Sequence, residues 1–219
     1  MLITLTLRAD MLNDIVITAT RTERHIEDVP ARIELITAKQ IQELPACNAD
    51  DYLRVIAGAN VDRFNGIFSK NASITLRGIN SAQRALVLID GVPMNKSDGG
   101  SINWNRIDPD NIERIEVIKG PVSALYGGNA MSGAINIISR KENERFGGEI
   151  KGFCGSYGTF GSRFRMHGTN VKNYKGFSWG VNGFYRQGAG YILYPDSLRD
   201  SMDVKTYLNE YLASARGAY

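Results

Sequence analysis

Apolar and polar positions alternate along two stretches in the C-terminal third of the chain, at residues 160–169 and 177–187. One face of these stretches is aromatic and aliphatic, and it carries Phe160, Phe164, Met166, Phe177, Trp179, Val181 and Tyr185. The opposite face is polar, and it carries Arg163, Arg165, His167, Ser178, Asn182 and Arg186. A period of two predicts β-strands, and the period continues through Tyr211, Ala213, Ala215 and Tyr219.

The connections between these predicted strands differ in length, since 155–158 and 170–175 are short whereas 188–202 is long. A soluble antiparallel sheet alternates as well, so alternation alone does not separate the two classes of sheet. Long strands with an apolar band, a polar second face and mixed connections are typical of a transmembrane β-barrel. We therefore expect the first antiparallel strands of such a barrel in this part of the chain.

Residues 31–142 mix strand and helix patterns. The predicted strands are 32–37, a short one at Val61, 73–77, 85–89, 112–117 and 134–139. The predicted helices are 38–44 with an N-cap at Thr37, 49–57 between Asn48 and Gly58, and one turn from Pro121 at its first position to Gly127. Strands separated by helices and irregular loops indicate a small α+β domain.

Composition narrows the class of protein. The chain has 219 residues, 43% of them hydrophobic, which is enough for packed cores rather than disorder. A formal charge of +3 is too small to indicate a nucleic-acid partner. No apolar run approaches the roughly 18 residues of a membrane helix, and the start MLITLTLRAD lacks the features of a signal peptide. Cys47 and Cys154 match no zinc spacing, which favours two unpaired thiols over a disulfide.

Candidate chemistry is sparse. The segment LVLID at 86–90 is similar to the strand that ends in an aspartate in nucleotide-binding ATPases, but the chain contains no Gly-Lys-Ser or Gly-Lys-Thr. Asp90 is better explained as the start of an Asp-Gly turn. His25 and His167 have no partners at metal-ligand spacing. We expect no catalytic residue, metal site or cofactor, and therefore no enzyme.

Four segments carry, in this order, a resemblance to a known family: DIVITATR at 14–21, LRG at 76–78, LVLIDGVPMN at 86–95 and IERIEVIKGPVSALYGGNAMSGAINIISR at 112–140. Together they resemble TonB-dependent outer-membrane receptors. The resemblance implies an α+β plug domain with a small mixed sheet, which faces the periplasm and lies inside an outer-membrane barrel of about 22 strands. It implies energy-coupled import of a ferric siderophore, haem or cobalamin. The implied partners are the periplasmic domain of TonB, the nutrient or metal chelate, and outer-membrane lipid.

The resemblance divides the chain into four parts. Residues 1–10 are similar to the tail of an extension domain, 11–30 hold a TonB-box segment and linker, 31–142 form the plug, and 143–219 form about four barrel strands. A full barrel at ~20 residues per strand needs on the order of 400 residues, so we expect a truncated chain that does not transport alone. The alternative is a periplasmic plug-like interaction module without transport, and membrane-fraction localisation of the full-length protein separates the two.

The segment 14–19 resembles the TonB box by its position and by its Ile-Val-Ile-Thr core. Its residues are Asp14, Ile15, Val16, Ile17, Thr18 and Ala19. An extended segment on a flexible tether has free backbone donors and acceptors, so it can add as a strand to a partner's sheet. We expect the segment to lie free for TonB, and the alternative is a strand of the local fold.

The resemblance also assigns Arg77 and Arg114 to the contact that locks the plug onto acidic residues of the inner barrel wall. Arginine suits this role because it stays charged and binds a carboxylate through two parallel hydrogen bonds. The alternative is pairing inside the plug, with Glu116 or Asp90.

Two polar-aromatic loops, 63–71 and 94–104, are expected to rise toward the extracellular side. The side chains expected to bind the nutrient are Phe64, Asn65, Phe68, Asn95, Asp98 and Trp104. Solvated loops with incidental aromatic residues are the alternative.

Overall fold

The described residues form an N-terminal hairpin, a mixed α+β unit and an antiparallel sheet. The computed structural model describes residues 15–16, 18, 24–26, 31–64, 66, 68–80, 84–97, 100–140, 145–170, 176–200 and 203–218. We call residues 31–140 the plug, and the four-stranded sheet within 146–218 the wall. Within the described residues, no helix is long and apolar enough to cross a membrane.

The observed elements confirm the predicted fold class of an α+β plug followed by antiparallel strands. The hairpin and plug contain β1 (Ile15–Val16), β2 (Arg24–His25), β3 (Arg32–Ile36), α1 (Ala38–Glu43), a 3₁₀ helix (Ala49–Val55), β4 (Ala59–Asp62), β5 (Ser73–Leu76), β6 (Ile79–Asn80), β7 (Ala85–Ile89), β8 (Val92–Pro93), 3₁₀ turns (Trp104–Arg106, Pro109–Asn111), β9 (Ile112–Lys119), α2 (Ser123–Tyr126), a 3₁₀ turn (Gly128–Ala130) and β10 (Gly133–Ser139). The wall contains β11 (Phe146–Gly155), β12 (Thr159–Thr169), β13 (Ser178–Tyr191), a 3₁₀ turn (Asp196–Leu198) and β14 (Thr206–Ala218).

The plug is built on a five-stranded mixed sheet in the order β3-β9-β10-β7-β8. β10 pairs in antiparallel with β9 and in parallel with β7. Both β9 and β10 are almost wholly buried, because both faces of these strands are covered. Gly133 opens β10 at φ 152°, where an added Cβ would collide with the carbonyl oxygen of Ile118. A core of aliphatic side chains around the buried Trp104 joins this sheet to the smaller sheet β4-β5-β6 and to the first helices.

The first two helical segments follow the predicted positions with one difference. The Thr37 hydroxyl accepts from the Gln40 N–H at 3.4 Å, and the Gln40 side chain accepts from the Thr37 N–H at 2.9 Å, which confirms the predicted cap. The segment 49–57, predicted as a longer helix, is a 3₁₀ helix that ends at Val55. It ends there because Ile56 adopts an extended backbone conformation, at φ −79° and ψ 121°.

The one-turn helix before β10 also differs at its start. Pro121, predicted at the first helical position, lies outside α2 because Val122 takes the N-cap position and the helix begins at Ser123. Gly127 ends the helix at φ 85°, as predicted for a residue that must adopt a positive φ.

The wall strands pair in chain order and in antiparallel, β11-β12-β13-β14. β13 reaches Tyr191 and β14 begins at Thr206, so the long connection is 192–205 rather than 188–202. On the predicted polar face, Arg163 and Arg186 contact the plug, and His167 and Arg186 are buried. The outer face exposes large apolar side chains, including Phe146, Ile150, Phe160, Phe164, Met166, Tyr185 and Tyr211.

The N-terminal segment is not free. β1 and β2 form a short antiparallel hairpin, and the side chains of Val16 and Thr18 are each only 1% exposed. The expectation of a free tether is therefore wrong for these residues, and the alternative of a strand in the local fold describes them. The other members of the predicted TonB box lie outside the described residues: Asp14, Ile17 and Ala19.

Candidate functional site

Every polar group of Thr18 is hydrogen-bonded to the plug. Its N–H and its hydroxyl donate to Oε2 of Glu116 at 2.9 and 2.6 Å. Its hydroxyl oxygen accepts from Nδ2 of Asn136 at 2.9 Å, and its carbonyl oxygen accepts from the Tyr126 hydroxyl at 2.7 Å. Glu116 and Asn136 are buried, so these bonds are shielded from water. We call Glu116, Tyr126 and Asn136 the Thr18 socket.

The socket is assembled where β9, β10 and α2 meet. Glu116 and Asn136 are direct cross-strand partners. A buried carboxylate is costly unless it is paired and hydrogen-bonded, and Nε of Arg114 donates to Oε1 of Glu116 at 3.1 Å. Removal of Thr18 takes two hydrogen bonds from the other oxygen of this carboxylate. The socket therefore opposes withdrawal of the N-terminal segment from the plug.

The two arginines predicted to lock the plug have different surroundings. Arg114 pairs inside the plug, with Glu116 at 3.1 Å and with Glu113 at 3.4 Å, which is the alternative to a wall contact. Arg77 lies in the turn after β5 at φ 55°, and its side chain is exposed beside Gly120. The predicted contact between Arg77 and an acidic residue of the inner wall of the full barrel stays a prediction.

The described plug–wall ion pairs have the opposite polarity, because the plug supplies the acid and the wall supplies the base. Arg163 of β12 lies 3.3 Å from Asp110 and 3.7 Å from Asp108. Lys151 of β11 lies 3.4 Å from Asp110. The Arg163 guanidinium also stacks over the Phe153 ring at 4.8 Å. We call Asp108, Asp110, Lys151 and Arg163 the acid–base anchor.

Asp108 is the most buried carboxyl of the acid–base anchor. Its Oδ1 accepts from the Asp110 N–H at 3.1 Å at the start of a 3₁₀ turn. Burial raises the pKa of the Asp108 carboxyl above its usual value, although the Asp110 N–H and the Arg163 guanidinium act in the opposite direction. Arg163 therefore offsets only part of the cost of burying this carboxylate.

A second plug–wall contact is centred on Arg186 of β13. Its Nη2 donates to Oε2 of Glu210 on β14 at 2.8 Å. Its Nη1 donates to Oδ1 of Asn48 at 2.9 Å and to the Cys47 carbonyl oxygen at 3.4 Å. This arginine joins two wall strands to the segment that follows α1 in the plug.

A third contact involves the Asp90 turn after β7. Asp90 has φ 49°, as the predicted turn requires, and its Oδ1 accepts from the Ser139 N–H at 2.8 Å. Arg216 of β14 lies 3.9 Å from Oδ2 of Asp90. Oδ1 of Asn136, a socket residue, accepts from the Gly91 N–H at 3.2 Å. Asn136 therefore contacts both Thr18 and the turn that faces the wall.

Of the predicted ligand residues in loop 63–71, Phe64 is 77% exposed and is available to a ligand. Phe68 is buried against the wall. Trp104, from the other loop, is 0% exposed. Its indole fills the plug core, which corrects the expectation that it binds the nutrient.

Asn95 has a structural role in the second predicted loop. Its amide accepts from the Val87 N–H at 2.8 Å and donates to the carbonyl oxygens of Ala85 and Gly100 at 3.0 and 3.1 Å. These bonds fold the loop back on β7. The remaining predicted ligand residues lie outside the described part of the chain: Asn65 and Asp98.

Two cavities between the plug and the wall, of about 410 and 450 Å³, have the size of small-molecule sites. The larger is lined by Cys47, Cys154 and several arginines, and both cysteines are free thiols. Within the described ranges, no group of three or more His, Cys, Asp or Glu side chains is arranged to hold a metal ion.

Comparison with known proteins identifies the family to which the chain belongs. The family described as TonB-dependent Receptor Plug Domain matches residues 25–134, half of the chain. The chain belongs to this family. The match begins at His25 of β2 and covers the plug as far as the start of β10, so it includes the socket residues Glu116 and Tyr126 but not Asn136.

Relatives extend the likeness to TonB-dependent receptors beyond the plug. The vitamin B12 transporter BtuB of Vibrio vulnificus is 39% identical over 142 residues, 65% of this chain and 23% of that protein. The rhizobactin receptor of Rhizobium meliloti is 32% identical over 203 residues, 87% of this chain and 26% of that protein. The crystal structure of the siderophore receptor PirA from Acinetobacter baumannii matches with a TM-score of 0.66 and 25% identity, over 85% of this chain and 29% of that one. The chain thus spans about a quarter of the length of these relatives, which are named as transporters and receptors rather than enzymes.

Sequence reasoning missed the plug acids and the Thr18 socket of this TonB-dependent receptor plug. Asp108 and Asp110 flank a proline and have the pattern of ordinary turn residues. The sequence feature that could have indicated the plug acids lies on the wall, where the alternation predicts Arg163 and Arg186 on the same polar face. Buried arginines need acceptors, so their partners had to come from the plug or from a neighbouring strand.

Proposed function

We propose that the chain is the plug-bearing part of a TonB-dependent outer-membrane receptor that imports a scarce nutrient of the ferric siderophore, haem or cobalamin class. The observation that carries the proposal is a plug of this family held by polar contacts on the inner face of a sheet whose outer face is apolar. Such a sheet suits lipid on its outside. A periplasmic module without transport would leave that apolar face in water, which disfavours the alternative.

The segment 14–19 is the proposed site of TonB binding. Strand addition requires its backbone N–H and C=O groups to be free. In the structure the N–H and C=O of Thr18 are bonded to Glu116 and Tyr126. The segment must therefore leave the socket before it pairs with TonB, and the socket sets the cost of that step.

The proposed ligand surface is the exposed part of loop 63–71 around Phe64, with Asn65 and Asp98 as further contacts. Arg77 is kept as the proposed plug contact to acidic residues of the barrel. Cobalamin and siderophores are the nutrients to test first, because the reported relatives are named for vitamin B12, rhizobactin and a siderophore.

The test is uptake by the full-length receptor that carries this chain, in cells that lack their own receptor. Growth and labelled uptake are measured with cobalamin, haem and ferric siderophores. Ile15→Pro removes a backbone donor from the TonB box, and we expect it to abolish uptake while ligand still binds to the cell surface. Ile15→Ala keeps the donor and is the matched control. Normal uptake by Ile15→Pro contradicts the assignment of the TonB box, and no uptake of any nutrient by the surface-exposed wild-type receptor contradicts transport.

A further inference from the structure

The loop that carries Phe64 is fastened at its base by Arg63. Nη1 of Arg63 donates to the Ser69 carbonyl oxygen, so the side chain closes the loop that it begins. Nε of Arg63 donates to the fully buried Asp50 at 2.9 Å. Two backbone bonds shape the loop, from the Gly66 N–H to the Arg63 carbonyl at 3.1 Å and from the Ser69 N–H to the Gly66 carbonyl at 3.0 Å. The position of Phe64 therefore depends on where Arg63 is held.

Asn105 joins Arg63 to the wall. Its Oδ1 accepts from Nη1 of Arg63 at 3.3 Å, and its Nδ2 donates to Oε1 of Glu210 on β14 at 2.7 Å. The orientation of the amide follows from its partners, since arginine only donates and a carboxylate only accepts. Asn105 is 4% exposed, so both bonds are shielded from water. An amide supplies a donor and an acceptor together, which neither a carboxylate nor an aliphatic side chain does.

Both ends of this bridge are fixed by other contacts. The second oxygen of Glu210 accepts from Arg186 at 2.8 Å, so the carboxylate does not rotate freely. The segment that carries Asn105 is bonded to the far end of the same loop, because the Trp104 N–H donates to the Lys70 carbonyl at 3.1 Å. Loop, bridge and wall strand therefore form one connected polar unit.

An apolar contact holds the other side of the loop against the wall. Phe68 packs where Gly188 leaves room, since a Cβ added there would lie 2.7 Å from Cζ of Phe68. The Phe68 ring lies 5.8 Å from the Tyr191 ring, centroid to centroid. With Phe68 turned to the wall, Phe64 is the aromatic side chain of this loop that is exposed among its described residues.

We propose that Asn105 is a positioning residue, which fixes the candidate ligand loop to β14 by bridging Arg63 and Glu210. The bridge holds the base of the loop that carries Phe64 in one position relative to β14. The inference rests on the proposed function for what binds at Phe64. The bridge itself is a property of the ligand-free chain and is tested without ligand.

The test is amide hydrogen exchange of the whole chain in detergent micelles, followed at Gly66 and Ser69. Asn105→Asp places a second carboxylate beside that of Glu210. Glu210→Gln has one acceptor oxygen for two donors, Nδ2 of Asn105 and Nη2 of Arg186, so one donor loses its acceptor. Each single variant is expected to speed exchange at both amides by about tenfold or more, with β9 and β10 unaffected. The double variant restores protection from exchange, because the amide at position 210 donates to the carboxylate at position 105 and its oxygen still accepts from Arg186. Asn209→Asp, an exposed neighbour of Glu210, is the matched control and leaves exchange unchanged.

Unchanged exchange at Gly66 and Ser69 in both single variants overturns the bridge. Additive losses in the double variant also overturn it, because general damage is not repaired by a second substitution. Uptake is measured separately in the full-length receptor. If uptake is absent while the exchange pattern is as expected, the proposed function fails and the positioning role of Asn105 stands.

Discussion

The plug and the wall are both rich in β-structure, yet they are stabilised in different ways. The central plug strands β9 and β10 are buried on both faces, by side chains of the plug and, at Glu116 and Asn136, by Thr18. In the wall, side chains are buried on the inner face alone, mainly on the central strands β12 and β13, and the outer face exposes Ile150 at 83% and Tyr211 at 86%. The plug completes its own core, whereas the wall packs against the plug on one side and leaves apolar side chains exposed on the other.

The largest expected effect comes from removing the wall. In water, the 219-residue chain is expected to be oligomeric or poorly soluble, because its outer face and its unpaired strand edges favour association between chains. A chain that ends at Arg140 keeps the plug core and the socket, and we expect a monomer. Size-exclusion chromatography with light scattering compares the two lengths. A monodisperse monomer of the longer chain would show that the wall is a soluble sheet and that the comparison is wrong.

The contrast between the two regions also explains what the sequence could predict. Alternation with a period of two depends on local positions, so it placed Arg163, Phe164 and Arg186 on the correct faces of the wall. The Thr37 cap and the Asp90 turn are equally local signals. The fold of the plug was predicted from four segments whose order resembles a family, and the ends of its predicted helices and strands lie within two residues of the observed ends.

The next effect tests how far the wall relies on the plug. Arg163→Glu places a third carboxylate beside Asp108 and Asp110, and we expect a loss of about 2–4 kcal/mol in the free energy of unfolding. Asp110→Arg added to it restores an opposite-charge pair and should recover part of the loss. Thermal unfolding in detergent micelles measures both variants. Reversal of the exposed pair of Arg199 and Asp196 is the control, with an effect of about 1 kcal/mol or less.

Rescue distinguishes a pairwise contact from general damage to β12. If Asp110→Arg deepens the loss caused by Arg163→Glu, the acid–base anchor does not hold the wall to the plug. The wall would then be positioned by Arg186 and by apolar packing alone.

A smaller effect tests whether the N-terminal segment belongs to the plug. Thr18→Val removes the hydroxyl and leaves Glu116 and Asn136 with fewer hydrogen-bond partners in a buried site. We expect this loss to destabilise the bound position of the N-terminal segment by about 1–3 kcal/mol. We expect faster amide exchange at Val16 and Thr18 with the plug core unchanged. Tyr126→Phe removes one bond to the Thr18 carbonyl oxygen and should act in the same direction but less strongly. Tyr157→Phe, on the exposed end of the wall, is the matched control, and unchanged exchange in Thr18→Val would contradict the socket.

The socket shows why side-chain partners were beyond sequence reasoning. Thr18 and Asn136 are 118 positions apart, and nothing local in the chain pairs them. The Ile-Val-Ile-Thr pattern is the same for a free strand and for a buried one. Arg114 and Glu116 were paired only as an alternative, because the choice between plug and wall depends on burial at β9. The bridge of Asn105 depends on the same kind of distant contact, between a plug turn and β14.

The smallest expected effect concerns the buried carboxyl of the acid–base anchor. Burial raises the folded-state pKa of Asp108 above its ordinary value of 3.8. The folded state therefore binds the Asp108 proton more tightly than the unfolded state does. The resulting contribution to stability is fully present at pH values below 3.8, and it is lost as the pH rises through the folded-state pKa. Asp108→Asn does not ionise and keeps an acceptor for the Asp110 N–H, so it lacks this loss. We expect its thermal unfolding midpoint to rise relative to that of the wild type between pH 4 and pH 7, measured in micelles. Asp62→Asn, on the exposed edge of β4, controls for the removal of one negative charge. A difference between variant and wild type that stays constant with pH would mean that Arg163 fully compensates the burial of Asp108, and the plug would then carry no electrostatic cost at its contact with the wall.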